Sequence, residues 1–237
     1  MKMQRGWAAA LAALFMLGGC SSRSARPQTE VVEPMVTRAA VPLASVPAAL
    51  QKPLALGDQI EYLVQDKYTG NRRKVLLEVT RLSADRVTFN QGARVERPDG
   101  QPLELAGVLL GDMDAMMPAG GWGNDNLSPG AYWTRRHNGN GEAGNMAYAL
   151  KAEAGEPTQL NTPMGMVPVV PIEYWGWATD KTRSIATPSK VSVLVWYSPQ
   201  LKRVIRMEST VKPATTLAPR TYESSRELIE LTAVHRR

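Results

Sequence analysis

Few residues of this 237-residue chain could take part directly in catalysis or bind a metal ion. Its two histidines, His137 and His235, lie far apart, and neither belongs to an H-x-x-H or H-E-x-x-H pair. Cys20 is the only cysteine, so the chain can form no internal disulfide and has too few ligands for a structural zinc site. No G-x-S-x-G motif or P-loop occurs. We therefore expect no catalytic residue, no cofactor and no metal, although a Ser/His/Asp triad could still assemble from distant positions.

The segment 111–130 is the least ordinary part of the sequence, since it is long and rich in glycine, aspartate and asparagine. Long loops of this kind are often functional. Asp112, Asp114 and Asp125 offer oxygen ligands for calcium, but their spacing does not match an EF-hand. Thioethers that could bind Cu(I), or could simply fill an irregular core, come from Met113, Met116, Met117, Met146, Met164 and Met166. A surface or packing loop is the interpretation that we favour.

Aromatic residues supply the only other candidate site. In a strand, Trp175 and Trp177 share one face, whereas Tyr174 and Gly176 point the other way. The candidate ligand or partner surface consists of Trp122, Trp133, Tyr174, Trp175 and Trp177. The alternative, which we favour, is that these side chains fill the core of a domain with only two phenylalanines.

The single cysteine follows an N-terminal export signal. Lys2 and Arg5 provide positive charge, and all eleven residues from 7 to 17 are apolar. A membrane-spanning helix needs about 20 apolar residues, whereas the apolar region of a signal peptide needs only about 7–15. The sequence Leu17-Gly18-Gly19-Cys20 that follows resembles the lipobox of bacterial lipoproteins. This resemblance implies that residues 1–19 are removed and that Cys20 carries lipid.

The same resemblance implies where the chain is held. Lipoproteins of this class carry two or three acyl chains, and each buried methylene contributes about 0.8 kcal/mol, so attachment is expected to be practically permanent. In Gram-negative bacteria, an aspartate after the cysteine usually favours the inner membrane. Position 21 is a serine, so we expect the outer membrane, with the domain facing the periplasm.

Charge excludes one class of partner. The formal net charge is +6, and removal of Lys2 and Arg5 with the signal leaves +4. The basic residues are scattered and form no continuous stripe of the kind that nucleic-acid binding requires. Because export also separates the chain from nucleic acid, we expect no nucleic-acid partner.

The rest of the chain divides into a tether and one domain. Neither a helix nor a central strand can run far through residues 20–53, because they contain Pro27, Pro34, Pro42, Pro47 and Pro53. We therefore predict a flexible tether over 20–53. Residues 54–237 show no second linker and no repeat, and they are enough for a single core.

The domain reads as strands. Apolar and polar residues alternate over 58–66, and returning strands are predicted over 74–82 and 86–91, which together form an antiparallel meander. Further strands are predicted at 94–97, 103–105, 131–136, 146–153, 167–179, 191–197, 203–211 and 226–234. The segment 226–234 also suits a helix. About ten strands with few helices predict an all-β domain, either an antiparallel β-sandwich or an open β-barrel.

Three short motifs resemble uncharacterised periplasmic β-domains of proteobacteria. They are Gly57-Asp58-Gln59-Ile60-Glu61-Tyr62, Thr162-Pro163-Met164-Gly165 and the hairpin that begins Trp196-Tyr197-Ser198-Pro199. The sequence departs from the pattern at Ile60, where such domains often have tryptophan. The resemblance implies a fold and a location, but no chemistry.

These observations predict a non-enzymatic, membrane-anchored envelope lipoprotein. The first hypothesis is a binding or assembly module that docks another envelope protein through the aromatic strand and the 111–130 loop. The alternative is a carrier of a lipid or small apolar ligand in a half-closed β-barrel. An open cavity of several hundred Å³ would favour the carrier, and a filled core with an exposed apolar patch would favour the docking module.

Overall fold

A computed structural model of the chain describes residues 46–140, 144–182, 188–213 and 225–237. The predicted signal peptide, Cys20 and most of the predicted tether lie outside these ranges. Within them the helices are two single turns, Ala48–Gln51 (α1) and Asp112–Ala115 (α2), with a short 3-10 turn at Asn90–Gly92. No helix in the described ranges has the length and hydropathy needed to cross a membrane.

Twelve β-strands build the domain. Their bounds are Gln59–Asp66 (β1), Arg72–Leu82 (β2), Val87–Phe89 (β3), Arg94–Glu96 (β4), Pro102–Leu105 (β5), Tyr132–Asn138 (β6), Met146–Ala154 (β7), Thr158–Thr162 (β8), Gly165–Asp180 (β9), Ser189–Ser198 (β10), Arg203–Pro213 (β11) and Ser225–His235 (β12). The predicted all-β antiparallel class is confirmed. The segment 226–234 is a strand rather than a helix.

All twelve strands belong to one open antiparallel sheet that does not close into a barrel. The strand order is β5-β4-β3-β2-β1-β12-β11-β10-β9-β7-β6, and β8 pairs with β9 beside this path. The first strand therefore lies next to the last, with Gln59 opposite His235 and Asp66 opposite Glu227. Hairpins connect most of the other neighbours, as expected for antiparallel strands.

One face of the sheet is buried because apolar and polar residues alternate along the strands. In β1, Ile60, Tyr62 and Val64 are at most 3% exposed, while the residues between them are half-buried. The same alternation places Val191, Val193 and Val195 of β10, each 0% exposed, on this inner face. The opposite, outer face carries the polar side chains.

Turn chemistry fixes the hairpins. The predicted Ser198-Pro199-Gln200 turn joins β10 to β11, and Lys202 completes it with a positive φ of 48°. The Thr162-Pro163-Met164-Gly165 motif forms the turn between β8 and β9, and the strand before it, β8, was not predicted. Leu160 and Thr162 of β8 are buried against the long strand β9.

The folded part begins earlier than residue 54. Val46 is only 6% exposed, and α1 follows it within the segment predicted as tether. Arg236 holds this segment by donating hydrogen bonds to the carbonyl oxygens of Lys52 at 2.7 Å and Pro53 at 3.0 Å. The last residues of the predicted tether therefore pack on the domain.

Candidate ligand-binding site

The connection between β5 and β6, residues 106–131, packs on the inner face of the sheet and is called here the β5–β6 loop. Leu110, Met113, Met116 and Trp122 are all at most 2% exposed and belong to the same apolar core as the strands. The loop thus supplies the apolar side chains that a second sheet would supply in a sandwich. Burial in this core explains the methionines of the loop, because their flexible side chains can fill an irregular interior.

Hydrogen bonds to its backbone hold the β5–β6 loop in place. The Tyr174 hydroxyl donates to the carbonyl oxygen of Trp122 at 2.5 Å, and the Trp122 indole donates to that of Met113 at 2.9 Å. The Asn140 side-chain amide donates to the carbonyl oxygen of Asp114 at 2.8 Å. These donors lie in strand β9, after strand β6 and in the loop itself. The backbone of the loop is therefore fixed to the rest of the domain.

The beginning of the loop rests on two carboxylates. The Asp112 amide donates to Glu227 Oε2 at 2.7 Å, and the Ser209 hydroxyl donates to Asp112 Oδ2 at 2.5 Å. Gly111 has a φ of 54°, and a Cβ there would collide with the Glu227 carboxylate, so only glycine fits. Burial raises the pKa of both Asp112 and Glu227 above their ordinary values, because it disfavours the charged forms.

A buried network of charges lies beneath the loop. Arg94 donates to Glu96 Oε1 and to Asp114 Oδ1, both at 2.5 Å, and Arg203 donates to Glu96 Oε2 at 2.7 Å. Arg94, Glu96 and Asp114 are at most 5% exposed. Asp114 Oδ2 also accepts the backbone amides of Leu109 and Leu110. The two positive and two negative charges compensate one another, as buried charges must.

Electrostatics keeps this network ionised. Burial alone would raise the pKa of Glu96, but the charges of Arg203 and Arg94 outweigh it and hold the pKa below its ordinary value. Burial would likewise lower the pKa of Arg203, yet the charge of Glu96 raises it. These shifts favour the charged forms of Glu96 and Arg203.

A cavity of about 540 Å³ opens beside this network and is called here the loop cleft. Its walls are the β4–β5 turn, the β5–β6 loop, strand β6 and the β10–β11 hairpin turn. Its lining includes Tyr62, Arg94, Glu96, Asp99, Pro102, Met117, Ala119, Gly123, Asp125, Leu127, Arg135, Tyr197, Lys202 and Arg203. At this size the cleft lies within the range of about 300–1,000 Å³ that small-molecule sites occupy.

One charged side chain in the loop cleft differs from the rest. Arg135 projects inward from β6, its Nε is buried, and no acceptor bonds that nitrogen within the described residues. No ion pair joins its guanidinium to a carboxylate in the same part of the chain, whereas Lys202 lies 3.4 Å from Asp99. An unsatisfied buried donor is uncommon and requires an explanation.

His137 lies on the same face of β6, two residues after Arg135. Its Nε2 lies 2.8 Å from the carbonyl oxygen of Met116, and its ring stacks on Tyr148 with centroids 5.2 Å apart. Burial lowers the pKa of His137. The histidine therefore helps to anchor the β5–β6 loop to β6.

The five predicted aromatic residues do not share one surface. Trp122 and Tyr174 are buried core residues whose rings meet edge-to-face at 5.1 Å, and the half-buried Trp133 meets Tyr174 in the same way at 6.0 Å. Trp175 and Trp177 project from the outer face, where Trp177 is 48% exposed. The structure thus places three of the five in or against the core and two on the outside.

The carboxylates that could have bound calcium in segment 111–130 are engaged or far apart in the structure. Asp112 and Asp114 are used by Ser209, Arg94 and backbone amides, and Asp125 is exposed at the other end of the loop. Within the described ranges, no three His, Cys, Asp or Glu side chains cluster in a way that could hold a metal ion.

Sequence reasoning missed the charged residues of the site. Arg94 and Glu96 are two apart in a strand, so their side chains share a face, and that spacing of opposite charges was the available signal. The Trp133-x-Arg135-x-His137 alternation likewise puts Arg135 on the inner face. Arg203 gave no local signal, because its partner Glu96 lies 107 positions away.

No protein-family model and no curated protein matches this chain. Three solved structures are similar to it. One, from Bacteroides fragilis, is described as an exported protein with a YmcC-like fold; it has 15% identity and a TM-score of 0.46, and the match covers 78% of this chain and 98% of that one. The second, from Parabacteroides distasonis, is described as a lipoprotein; it has 14% identity, a TM-score of 0.41 and coverages of 77% and 96%. The third is the hypothetical lipoprotein YmcC from Escherichia coli, with 10% identity, a TM-score of 0.34 and coverages of 79% and 89%. At these identities and TM-scores the similarity transfers no function.

Proposed function

We propose that this chain is a non-enzymatic envelope lipoprotein whose β-domain binds a small ligand in the loop cleft. The observation that carries the binding role is the cleft itself, a cavity of about 540 Å³ that holds a buried donor for which the described residues provide no acceptor. A cavity with a few fixed polar groups beside apolar walls is the usual form of a small-molecule site. The order of the β5–β6 loop supports the proposal, because binding groups must be held in place before the ligand arrives.

The anchor rests on the N-terminal sequence. Leu17-Gly18-Gly19-Cys20 follows a signal-like apolar stretch, and Ser21 favours the outer membrane. The domain then faces the periplasm on a tether that ends where Val46 packs on the sheet. Up to 25 residues, 21–45, lie between the lipid and this point.

The anchor is tested by the Cys20→Ala variant. We expect it to lose labelled palmitate and to leave the membrane fraction, because the thiol is the atom that receives lipid. Ser22→Ala, two positions away, is the matched control and should behave as wild type. A Cys20→Ala protein that is still processed and fractionates with membranes would contradict the anchor.

The cleft is tested with the Ala119→Trp variant. Ala119 is exposed and lines the cleft, so a large side chain there fills the cavity without entering the core. We expect native mass spectrometry to find a small molecule on the wild-type chain purified from its own host, and not on this variant. Ala84→Trp, at an exposed position outside the cleft, should keep the molecule. Equal occupancy of Ala119→Trp and wild type would contradict binding in the cleft.

The outer face supports a second candidate, docking of another envelope protein. Trp177 is 48% exposed and Tyr132 is 54% exposed, and the Tyr132 ring lies 6.2 Å from that of the half-buried Trp175. Exposed aromatic groups of this kind are typical of protein interfaces. Cross-linking in intact cells should then capture one envelope protein with wild type and lose it with Trp177→Ser, whereas Leu82→Ser, at a distant exposed apolar residue, should keep it. Identical cross-links for wild type and Trp177→Ser would exclude docking through this face.

A further inference from the structure

The charged side chains that line the loop cleft indicate the chemistry of its ligand. Four cationic side chains line the cleft: Arg94, Arg135, Lys202 and Arg203. Three of them already lie within ion-pair distance of a carboxylate, Arg94 and Arg203 with Glu96 and Lys202 with Asp99. Arg135 is the one for which no such partner is found in the described part of the chain.

The surroundings of Arg135 leave its charge uncompensated. Its Nε is buried without an acceptor, although a guanidinium is the side chain best suited to bind a planar oxyanion with two hydrogen bonds. Its neighbours on the inner face of β6, Trp133 and His137, supply no negative charge. A group that compensates Arg135 must therefore come from outside the described chain.

The acidic side chains of the cleft limit how negative this group can be. Glu96 and Asp99 line the cavity together with the exposed Asp125. A dianion would bring two negative charges beside these carboxylates, while Arg135 is the one lining cation without a carboxylate partner among the described residues. A monoanion pairs with Arg135 and meets less repulsion from them.

The rest of the lining combines the polar Gln101 and Asn124 with a group of apolar side chains. In that group Leu127 and Tyr197 are half-buried, and Val204 and Met117 are buried. Gly123 brings the loop against Tyr197, because a Cβ there would lie 2.6 Å from the Tyr197 ring. These side chains offer contact to a hydrocarbon or aromatic group, but not to a second charge.

From this arrangement we infer that the ligand is a small amphipathic monocarboxylate, whose carboxylate pairs with Arg135 and whose apolar part lies against Tyr197 and Leu127. The inference rests on the proposed function and adds the ligand class to it. It assigns Arg135 the role of the specificity-determining residue of the cleft.

Matched probes test the inference on the full chain in detergent, with empty micelles as the reference. The probes are 4-phenylbutyrate, its neutral analogue 4-phenylbutanamide, and phenyl phosphate, and isothermal titration calorimetry measures their affinities. We expect the carboxylate to bind at least about tenfold more tightly than the amide, since a charge-assisted hydrogen bond is worth about 1.5–3 kcal/mol, which is tenfold or more in affinity. Phenyl phosphate should bind more weakly than phenylbutyrate.

Two arginine variants distinguish a site from general attraction to positive charge. Arg135→Gln should lower the affinity for phenylbutyrate about tenfold and leave the amide unchanged. Arg136→Gln is the matched control, because Arg136 is the next residue of β6 and is exposed on the outer face. Without ligand, Arg135→Gln should melt no lower than wild type, because it removes a half-buried cation that no carboxylate of the described residues compensates.

The failures can be told apart. Equal affinities for acid and amide, or equal losses in Arg135→Gln and Arg136→Gln, would overturn the carboxylate inference, and so would tighter binding of phenyl phosphate. After any of these results, loss of both acid and amide binding in Ala119→Trp would show that the cleft does bind a ligand. Only the inferred monocarboxylate class would then be wrong. If wild type binds no probe, the monocarboxylate class is overturned, while co-purification still decides the proposed function.

Discussion

The two faces of the sheet use the same residue types in opposite ways. On β6, Arg135 points inward to the loop cleft, and the next residue, Arg136, is exposed. On β9, Tyr174 is 0% exposed and anchors the β5–β6 loop, and the next residue, Trp175, is only half-buried on the outer face. Composition alone cannot separate these roles. The side of the pleat decides whether an arginine or an aromatic ring belongs to the core and the site or to the surface.

Ion pairs show the same contrast. The Arg94–Glu96–Asp114 group is almost inaccessible to water, whereas Arg86 and Glu104 pair at 3.0 Å with more than half of each side chain exposed. A surface pair contributes little to stability, because water and salt screen it. Removing one member of a buried group leaves an uncompensated charge. The contrast predicts that substitutions of equal kind will differ strongly between the faces.

The largest difference in the loss of stability is expected between alanine variants of two tryptophans. Trp122→Ala should lower the free energy of unfolding by about 3–5 kcal/mol, because it opens a cavity in the core and removes the hydrogen bond to Met113. Trp177→Ala, on the outer face, should change it by less than about 0.5 kcal/mol. Urea unfolding followed by circular dichroism measures both. Similar losses in the two variants would mean that the faces are not distinct.

Arg94→Ala is expected to lower the free energy of unfolding nearly as much as Trp122→Ala does. The variant leaves Asp114 buried without its cation and should cost about 3–5 kcal/mol in the free energy of unfolding. The control is Arg86→Ala, which should cost less than about 1 kcal/mol. Chemical denaturation again provides the measurement, and a loss of under about 1 kcal/mol for Arg94→Ala would show that the buried network is not stabilising.

Trp175→Ala should have an intermediate effect. The ring is half-buried and contacts Tyr132, and an aromatic pair of this kind contributes about 0.5–1.5 kcal/mol beyond burial. We therefore expect a loss near 1 kcal/mol, or a few degrees in melting temperature. A loss as large as that of Trp122→Ala would place Trp175 in the core and weaken the case for an outer docking face.

The smallest effect is one of pH, at the start of the β5–β6 loop. Because the pKa of Asp112 is raised in the folded state, folding takes up a proton between the unfolded and folded pKa values, and stability falls as pH rises through this window. Asp112→Asn cannot ionise. It should melt above wild type at pH 7, and the difference should shrink as pH falls towards 4. Asp125→Asn, an exposed carboxylate, should track wild type throughout, and a constant offset for Asp112→Asn would contradict this account.

Local patterns were enough to predict most of the sheet. The alternation in β1 and the Pro98-Asp99-Gly100 and Ser198-Pro199 turns are properties of neighbouring residues, so the strands and hairpins could be found without the fold. Strand β8 was missed because only Leu160 of its five residues is strongly apolar. Its burial comes from pairing with β9 and cannot be seen in its own sequence.

The site could not be predicted in the same way, because its defining contacts join distant residues. Asp114 meets Arg94 across 20 positions, and Asp112 meets Glu227 across 115. The segment 111–130 stands out in the sequence, yet nothing local shows that Trp122 packs in the core or that Asp114 neutralises an arginine. The physical reason is that burial, which gives these charges their importance, is a property of the assembled sheet.

The position of β12 has a consequence for how the domain can form. This strand comes last of the twelve in chain order, yet it lies in the interior of the sheet, between β1 and β11. A chain lacking its final 13 residues would therefore lack the seam that joins the two halves, instead of merely losing an edge. Completion of the sheet must wait until Ser225–His235 is available, which favours concerted assembly of the whole domain over stepwise growth from its N-terminal end.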